Sequence, residues 1–545
     1  MINRFRNHLP DRHKILILGI LCLFAVCLVA QSKSGAKSKP VATIKKPPKK
    51  GTKVFLEYAD VLEFDKSKGP DYQVLRGSVR FRQDSMRMYC DSAYFFDKTN
   101  SLDAFGNIRM EQGDTLFVYS DYLHYDGNQQ LAKLRRNVKM ENRNVTLLTD
   151  SLNYDRRFNI GYFFEGGVVS DLKNELTSLY GQYSPATKDA FFQYKVKLVN
   201  DNMTLYSDTL RYNTQTKIAA IISPSTIISD SNTIYSRRGW YNTQKETAML
   251  LKRSLLVSKT KTLTGDTILY FRNTGKGKVF GNMHLKDSLN KSDMYGNKGY
   301  YNEKTKFAFA TDSAWLREYS RPDTIFLHAD TLMASEPDLT HRTFSAFHHV
   351  RFYSKESQGV CDSLRFSTKD SVLRMFKDPI LWNMKYQLSG DTITAKMNDS
   401  TIDRAHIIGY AFVATQEDSV GGYYNQLSGK ELKAKFVKGE IRKVDVMGNV
   451  ESAFYPTDKD SLLIGLNRAE SSYLTIYVKN RKLDKMIMWP SPIGTLTPLI
   501  SIKSEDKFLK NFRWQYDVRP LSSTDIFRKV QPKSEPIKRI VRRVR

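Results

Sequence analysis

Ser120-Asp121-Tyr122-Leu123-His124-Tyr125-Asp126-Gly127-Asn128 decides how this 545-residue chain is read. Leu123 and Tyr125 are two positions apart, so in an extended strand they share one face, with His124 on the other. Such alternation suits a strand with one buried side. Asp126-Gly127-Asn128 then supplies turn residues: Gly tolerates positive φ, and Asp and Asn hydrogen-bond to nearby backbone. The stretch predicts a half-buried strand that runs into a tight turn.

The same pattern recurs along the chain. It returns as Asp91-Ser92-Ala93-Tyr94-Phe95, Asp150-Ser151-Leu152-Asn153-Tyr154, Asp208-Thr209-Leu210-Arg211-Tyr212 and Asp266-Thr267-Ile268-Leu269-Tyr270. Looser copies begin at Asp362 and Asp391, and glycine takes the apolar place in Arg238-Gly239-Trp240-Tyr241 and Lys298-Gly299-Tyr300-Tyr301. A second signature follows at a fixed distance. Asn107, Asn137 and Asn282 each stand 16 positions after Asp91, Asp121 and Asp266, the first and last of them after a glycine. Gly-Asn accepts positive φ and marks a turn or a bulge. The aspartates read as turn or strand-end caps, because they recur in nearly every unit.

Each unit of about 25–32 residues therefore reads as strand, turn, strand, turn, and about a dozen units stack so that neighbours complete a shared core. The expected fold is all-β, an elongated β-jellyroll or β-solenoid. Residues 54–200 hold the first repeats and 201–490 the looser ones. Pro490, Pro492 and Pro498 break the pattern, so 491–545 read as an irregular cap with a basic tail.

The ends differ from the body. Arg4, Arg6, Arg12 and Lys14 precede an uncharged apolar run from Ile15 to Ala30. That arrangement describes a secretory signal peptide over 1–30, with an uncleaved anchor as the alternative. Residues 31–53 hold eight lysines, three prolines and no acid, the composition of a disordered basic linker. The formal net charge of +28 comes largely from this linker and the basic C-terminal tail. In an exported protein, such tails suit anionic membrane surfaces rather than nucleic acid. Past the leader only Cys90 and Cys361 remain, far apart in sequence and weak evidence for a disulfide.

No pattern for chemistry emerges. The chain has no H-E-x-x-H, no G-x-S-x-G and no phosphate loop. His348-His349 is the only histidine pair, and adjacent strand residues face opposite ways. Neither a catalytic residue, a metal nor a cofactor is expected. A solenoid carbohydrate enzyme is the least favoured reading.

The repeated aspartate–hydroxyl–leucine–x–tyrosine, followed by glycine-asparagine-valine, resembles the OstA/LptA-type periplasmic proteins of lipopolysaccharide transport. The resemblance covers most of 54–490, loosening towards the end. It implies two sheets that part along one edge, with acyl chains between them and sugars and phosphates outside. It further implies a periplasmic bridge or carrier for lipopolysaccharide or a lipid A-type glycolipid, working in outer-membrane assembly and meeting other envelope proteins by edge-strand pairing. The groove positions expected are Leu123 and Tyr125, Leu152 and Tyr154, Leu210 and Tyr212, and Ile268 and Tyr270. The alternative is a structural or polysaccharide-binding envelope scaffold, in which these residues fill a closed core.

Overall fold

A computed structural model describes residues 52–529 except 65–71, 339, 399–400, 419–421, 439, 459, 461 and 480–481. The leader, nearly all of the basic linker and the end of the basic tail lie outside the described residues. The described chain is all-β: 36 strands join one antiparallel sheet, and the only helical pieces among the described residues are short 3-10 turns.

The long strands include Tyr72–Gln83, Met86–Phe96, Ser101–Gln112, Leu116–Asp126, Leu131–Asn142 and Val145–Asp155. Each pairs with the next in sequence, and each pairing shifts register in the middle. The shift is made by two consecutive left-handed residues. Gly106 and Asn107 have φ of 75° and 44°, Arg136 and Asn137 of 63° and 49°, Gly281 and Asn282 of 77° and 48°. The Gly-Asn signature is thus a bulge inside a strand, of the kind that bends it. Elsewhere the strand is interrupted at the same place, as between Ile160–Phe163 and Gly167–Asp171 or between Val372–Phe376 and Ile380–Asn383.

These bends divide the sheet lengthwise into two leaves. Segments 79–83, 86–90, 108–112 and 116–120 belong to the first leaf, and 92–96, 101–105, 122–126 and 131–135 to the second. The leaves face each other. Phe81 of the first and Phe95 of the second have ring centroids 5.5 Å apart. Strand periodicity then sends alternate side chains inward from both leaves, giving one main apolar cluster from Val54 to Leu474. The bend also repositions the signature aspartates. Asp91, Asp121 and Asp266 lie mid-strand at the fold line, opposite the bulge, rather than at strand ends. Each accepts a hydrogen bond from its asparagine 16 positions later, at 2.9, 2.7 and 2.7 Å. The bulge leaves ladder groups unpaired there, and the carboxylate–amide pair fastens the corner.

The C-terminal segment adds a partial third layer. After the strand Ile493–Pro498, residues 499–528 run back across the outer side of the first leaf. They cover a second apolar cluster that includes Phe412, Ala414, Ala453, Tyr455 and Leu466, with Leu509 from the segment itself. Gln426 donates to Lys507 O at 2.8 Å and accepts from Leu509 N at 2.8 Å. Gln387 donates to Arg513 O at 2.7 Å and accepts from Gln515 N at 2.9 Å. Each glutamine thus holds the carbonyl of one residue and the N–H of the next but one. Phe527 ends the strap against His328 and Trp315, with centroids 5.1 and 6.1 Å away.

Candidate functional site

Folding every strand at its middle brings the turns at both ends of the strands together, as two rims along one seam. One cross-strand row in the second leaf runs beside this seam. From Tyr125 it passes through Ala132, Tyr154, Gly161, Tyr183, Ala190, Tyr212, Ala219, Tyr241, Ala248, Tyr270, Gly277, Tyr301 and Ala308, each directly opposite the next. Tyrosine alternates with alanine or glycine throughout. A bulky ring on every second strand needs a small neighbour, because adjacent strands are only about 4.8 Å apart.

The tyrosine hydroxyls reach across to the first leaf. Tyr125 donates to Gln83, Tyr154 to Gln112 at 3.1 Å, Tyr183 to Asn142 at 3.3 Å and Tyr212 to Asp171 at 2.7 Å. Tyr270 instead accepts from Asn232 at 2.5 Å. Ion pairs join the same rims: Lys217 with Asp171 at 2.9 Å and Lys261 with Glu336 at 2.9 Å. Arg156 donates to both Gln83 and Tyr125. All seven tyrosines are at most 4 % exposed. Burial holds the phenols un-ionised, pushing Tyr125, Tyr241 and Tyr270 up to about 12 and raising Tyr154 and Tyr212 as well. Through this half the seam is sealed.

The eight positions expected to line a groove all belong to the sealed half. Leu123, Tyr125, Leu152, Tyr154, Leu210, Tyr212, Ile268 and Tyr270 point between the leaves and are 0–2 % exposed. Each of the four tyrosines carries a cross-seam bond, while the leucines and isoleucine pack one step deeper.

Beyond Ala308 the same row changes character. It continues through Ala334, Phe344, Phe366, Leu373, Ala395, Ala405, Ala434, Val444 and Ile476, again each opposite the next. None of these side chains has a hydroxyl. Most are only partly buried although they face inward. Across the interior, Leu316, Leu381, Leu388, Val413 and Leu427 of the first leaf are likewise inward and partly exposed. The interior of the second half thus reaches solvent along two facing apolar rows. The reading of the sequence missed this division. Its signal was the 29-residue spacing of Tyr125, Tyr154, Tyr183, Tyr212, Tyr241 and Tyr270, and the end of that series after Tyr301.

Other features lie along the fold line, on the far side from the seam. Arg237, Arg238, Lys252, Arg253 and Asp266 line a shallow cleft. His348 and His349 occupy the bulge slot, and their Nδ1 atoms meet Asp362 at 3.1 Å and Asp330 at 2.8 Å respectively. Each histidine therefore has its own carboxylate. Cys90 and Cys361 are buried free thiols, both pushed up to about 12 by burial. No helix among the described residues is long and apolar enough to cross a membrane.

Comparison with known proteins finds one family, over part of the sealed half. The OstA-like protein family matches residues 51–208 and 200–266. No curated protein matches the chain. Over residues 51–266 the chain is similar to OstA-like proteins.

Proposed function

We propose that this protein binds the acyl chains of an amphiphilic lipid between its two leaves and serves as a periplasmic bridge or carrier in lipopolysaccharide transport and outer-membrane assembly. The observation that carries this reading is the seam. The bonds that close it are made by side chains, while the backbone ladders run between neighbouring strands within each leaf. The rims can therefore part without breaking the sheet, giving apolar access along a line. Lipid tails need such a surface, since each CH₂ left in water costs about 0.8 kcal/mol. The similarity to the OstA-like family over 51–266 supports the same assignment. The cationic cleft of Arg237, Arg238, Lys252 and Arg253 suits an anionic surface or sugar phosphate. The basic leader reads as the export signal.

A scaffold without lipid transport is the second reading, favoured by the filled interior of the sealed half. Mass spectrometry of lipid extracted from protein purified gently from its native envelope separates the two. A lipid A-type glycolipid in near-stoichiometric amount is expected for a carrier. Absence of enriched lipid would leave the scaffold.

A further inference from the structure

We infer that acyl chains are seated in the second half of the interior, beyond Ala334, and that the tyrosine-sealed half excludes them. The inference rests on the lipid-binding reading and adds where, along one continuous sheet, the ligand lies.

Three observations carry it. First, the register row is unbroken from Tyr125 to Ile476, so the two halves can be compared position by position. The place of the tyrosine passes to Ala334 and then to Phe366, which lack the hydroxyl. Beside Ala334, among the described residues, the rims are joined only through Glu336 with Lys261 and Asn290 and Arg342 with Asn290. Second, the polar partner on the first leaf changes too. Gln83 and Gln112 lie five positions after the second bulge residue, Ser78 and Asn107. Counted the same way from His349 and Asp378, the place falls to Ser354 and Asn383, which bond within their own leaf, and from Tyr410 to Thr415. Its buried hydroxyl has no hydrogen-bond partner. Third, among the described residues inward-facing hydrocarbon is partly exposed on both leaves only here, apart from Leu56 and Ala59 at the N-terminal edge. A contiguous apolar surface of this kind marks a binding site more often than an idle one.

The chemistry of the rows defines the ligand. Phe344, Leu373 and Val444 line one leaf and Leu381, Leu388 and Leu427 the other, all packed against the shared core and partly exposed, so the slot offers hydrocarbon from both leaves. Saturated acyl chains fit; a sugar or peptide backbone would leave polar groups unpaired there. The strap of residues 499–528 crosses the outer side of the same wall. Gln387 and Gln426 grip it next to inward-facing Leu388 and Leu427, so the wall is braced where the seam is unsealed.

The test is amide hydrogen exchange on the full chain, with lipid A in detergent micelles against detergent alone. Slowed exchange confined to 325–488 is expected. Slowing in 116–302 as well, or there alone, would overturn the inference while leaving the carrier reading intact. No slowing anywhere, together with no co-purified lipid, would remove both. Variants give a second readout. Leu388→Asp and Val444→Asp, at partly exposed sites, should each lower recovered lipid about tenfold, a change of ~1.4 kcal/mol. Tyr183→Phe should leave it unchanged. Equal loss in all three would also overturn the inference.

Discussion

At the scale of single residues, the tyrosine ladder makes the clearest demands. The Tyr212 hydroxyl donates to Asp171 and accepts from Asn174 at 3.1 Å, all three groups being buried. Tyr212→Phe removes one partner from two buried polar groups, so about 1–3 kcal/mol of stability should be lost, read as a lower denaturant midpoint at unchanged slope. The same burial predicts alkaline sensitivity. Tyr125, Tyr241 and Tyr270 keep their protons in the folded state to about pH 12, whereas an exposed tyrosine ionises near 10. Their contribution is complete below pH 10. It declines as pH rises from 10 to 12, because only the unfolded chain releases the proton, at up to about 1.4 kcal/mol per pH unit for each phenol. Tyrosinate absorbance should therefore rise together with loss of the β circular-dichroism signal; ionisation in a still-folded protein would show that these rings are not sealed. Gly106 poses a different demand. A Cβ there would lie 2.5 Å from Oδ2 of Asp91, at a φ of 75°. Gly106→Ala should thus cost more than the roughly 1–3 kcal/mol of a strained backbone position alone.

At the scale of elements, the strands were legible and their bending was not. Period-two alternation around Leu123 and Tyr125 marks a strand from sequence alone, because the pleat sends alternate residues to opposite faces. The Gly-Asn pair was legible as turn or bulge. Choosing between them needs the pairing register, since the same left-handed residues can end a strand or bend it. That ambiguity is why Asp91 reads as a cap in the sequence and proves to be a corner fastener in the fold. The strap was less legible still. Residues 499–528 have neither strand alternation nor helical period, and their partners Gln358, Gln387 and Gln426 lie 81 to 161 positions away in sequence. Nothing local marks those glutamines as clamps. The bonding makes a firm expectation: Gln387→Ala with Gln426→Ala removes two hydrogen bonds at each clamp, and the amides of Leu509 and Gln515 should lose exchange protection while 86–302 keep theirs. Protection that survives in the double variant would mean that the apolar contacts of Leu509, Phe512 and Trp514 hold the strap alone.

For the whole molecule, stacking in one direction means that each strand touches mainly its neighbours, so stability is a sum of local terms rather than one cooperative core. Those terms differ between the halves. The first half has a cross-seam bond at nearly every second strand and an interior closed to water. The second has partly exposed hydrocarbon and leans on the strap for its outer face. Local opening follows the number of buried contacts, and an array with two such regimes departs from two-state behaviour. The second half should therefore melt first, as a separate transition in scanning calorimetry, with exchange in 325–488 accelerating while 86–302 remain protected. A bound lipid stabilises only the part that holds it, by about 2.7 kcal/mol at a hundredfold excess over its Kd. Lipid A added to the protein should thus raise the lower transition and leave the upper one in place, drawing the two together. A single transition that ignores lipid would mean that both halves open as one unit, and the division of the seam would then have no thermodynamic counterpart.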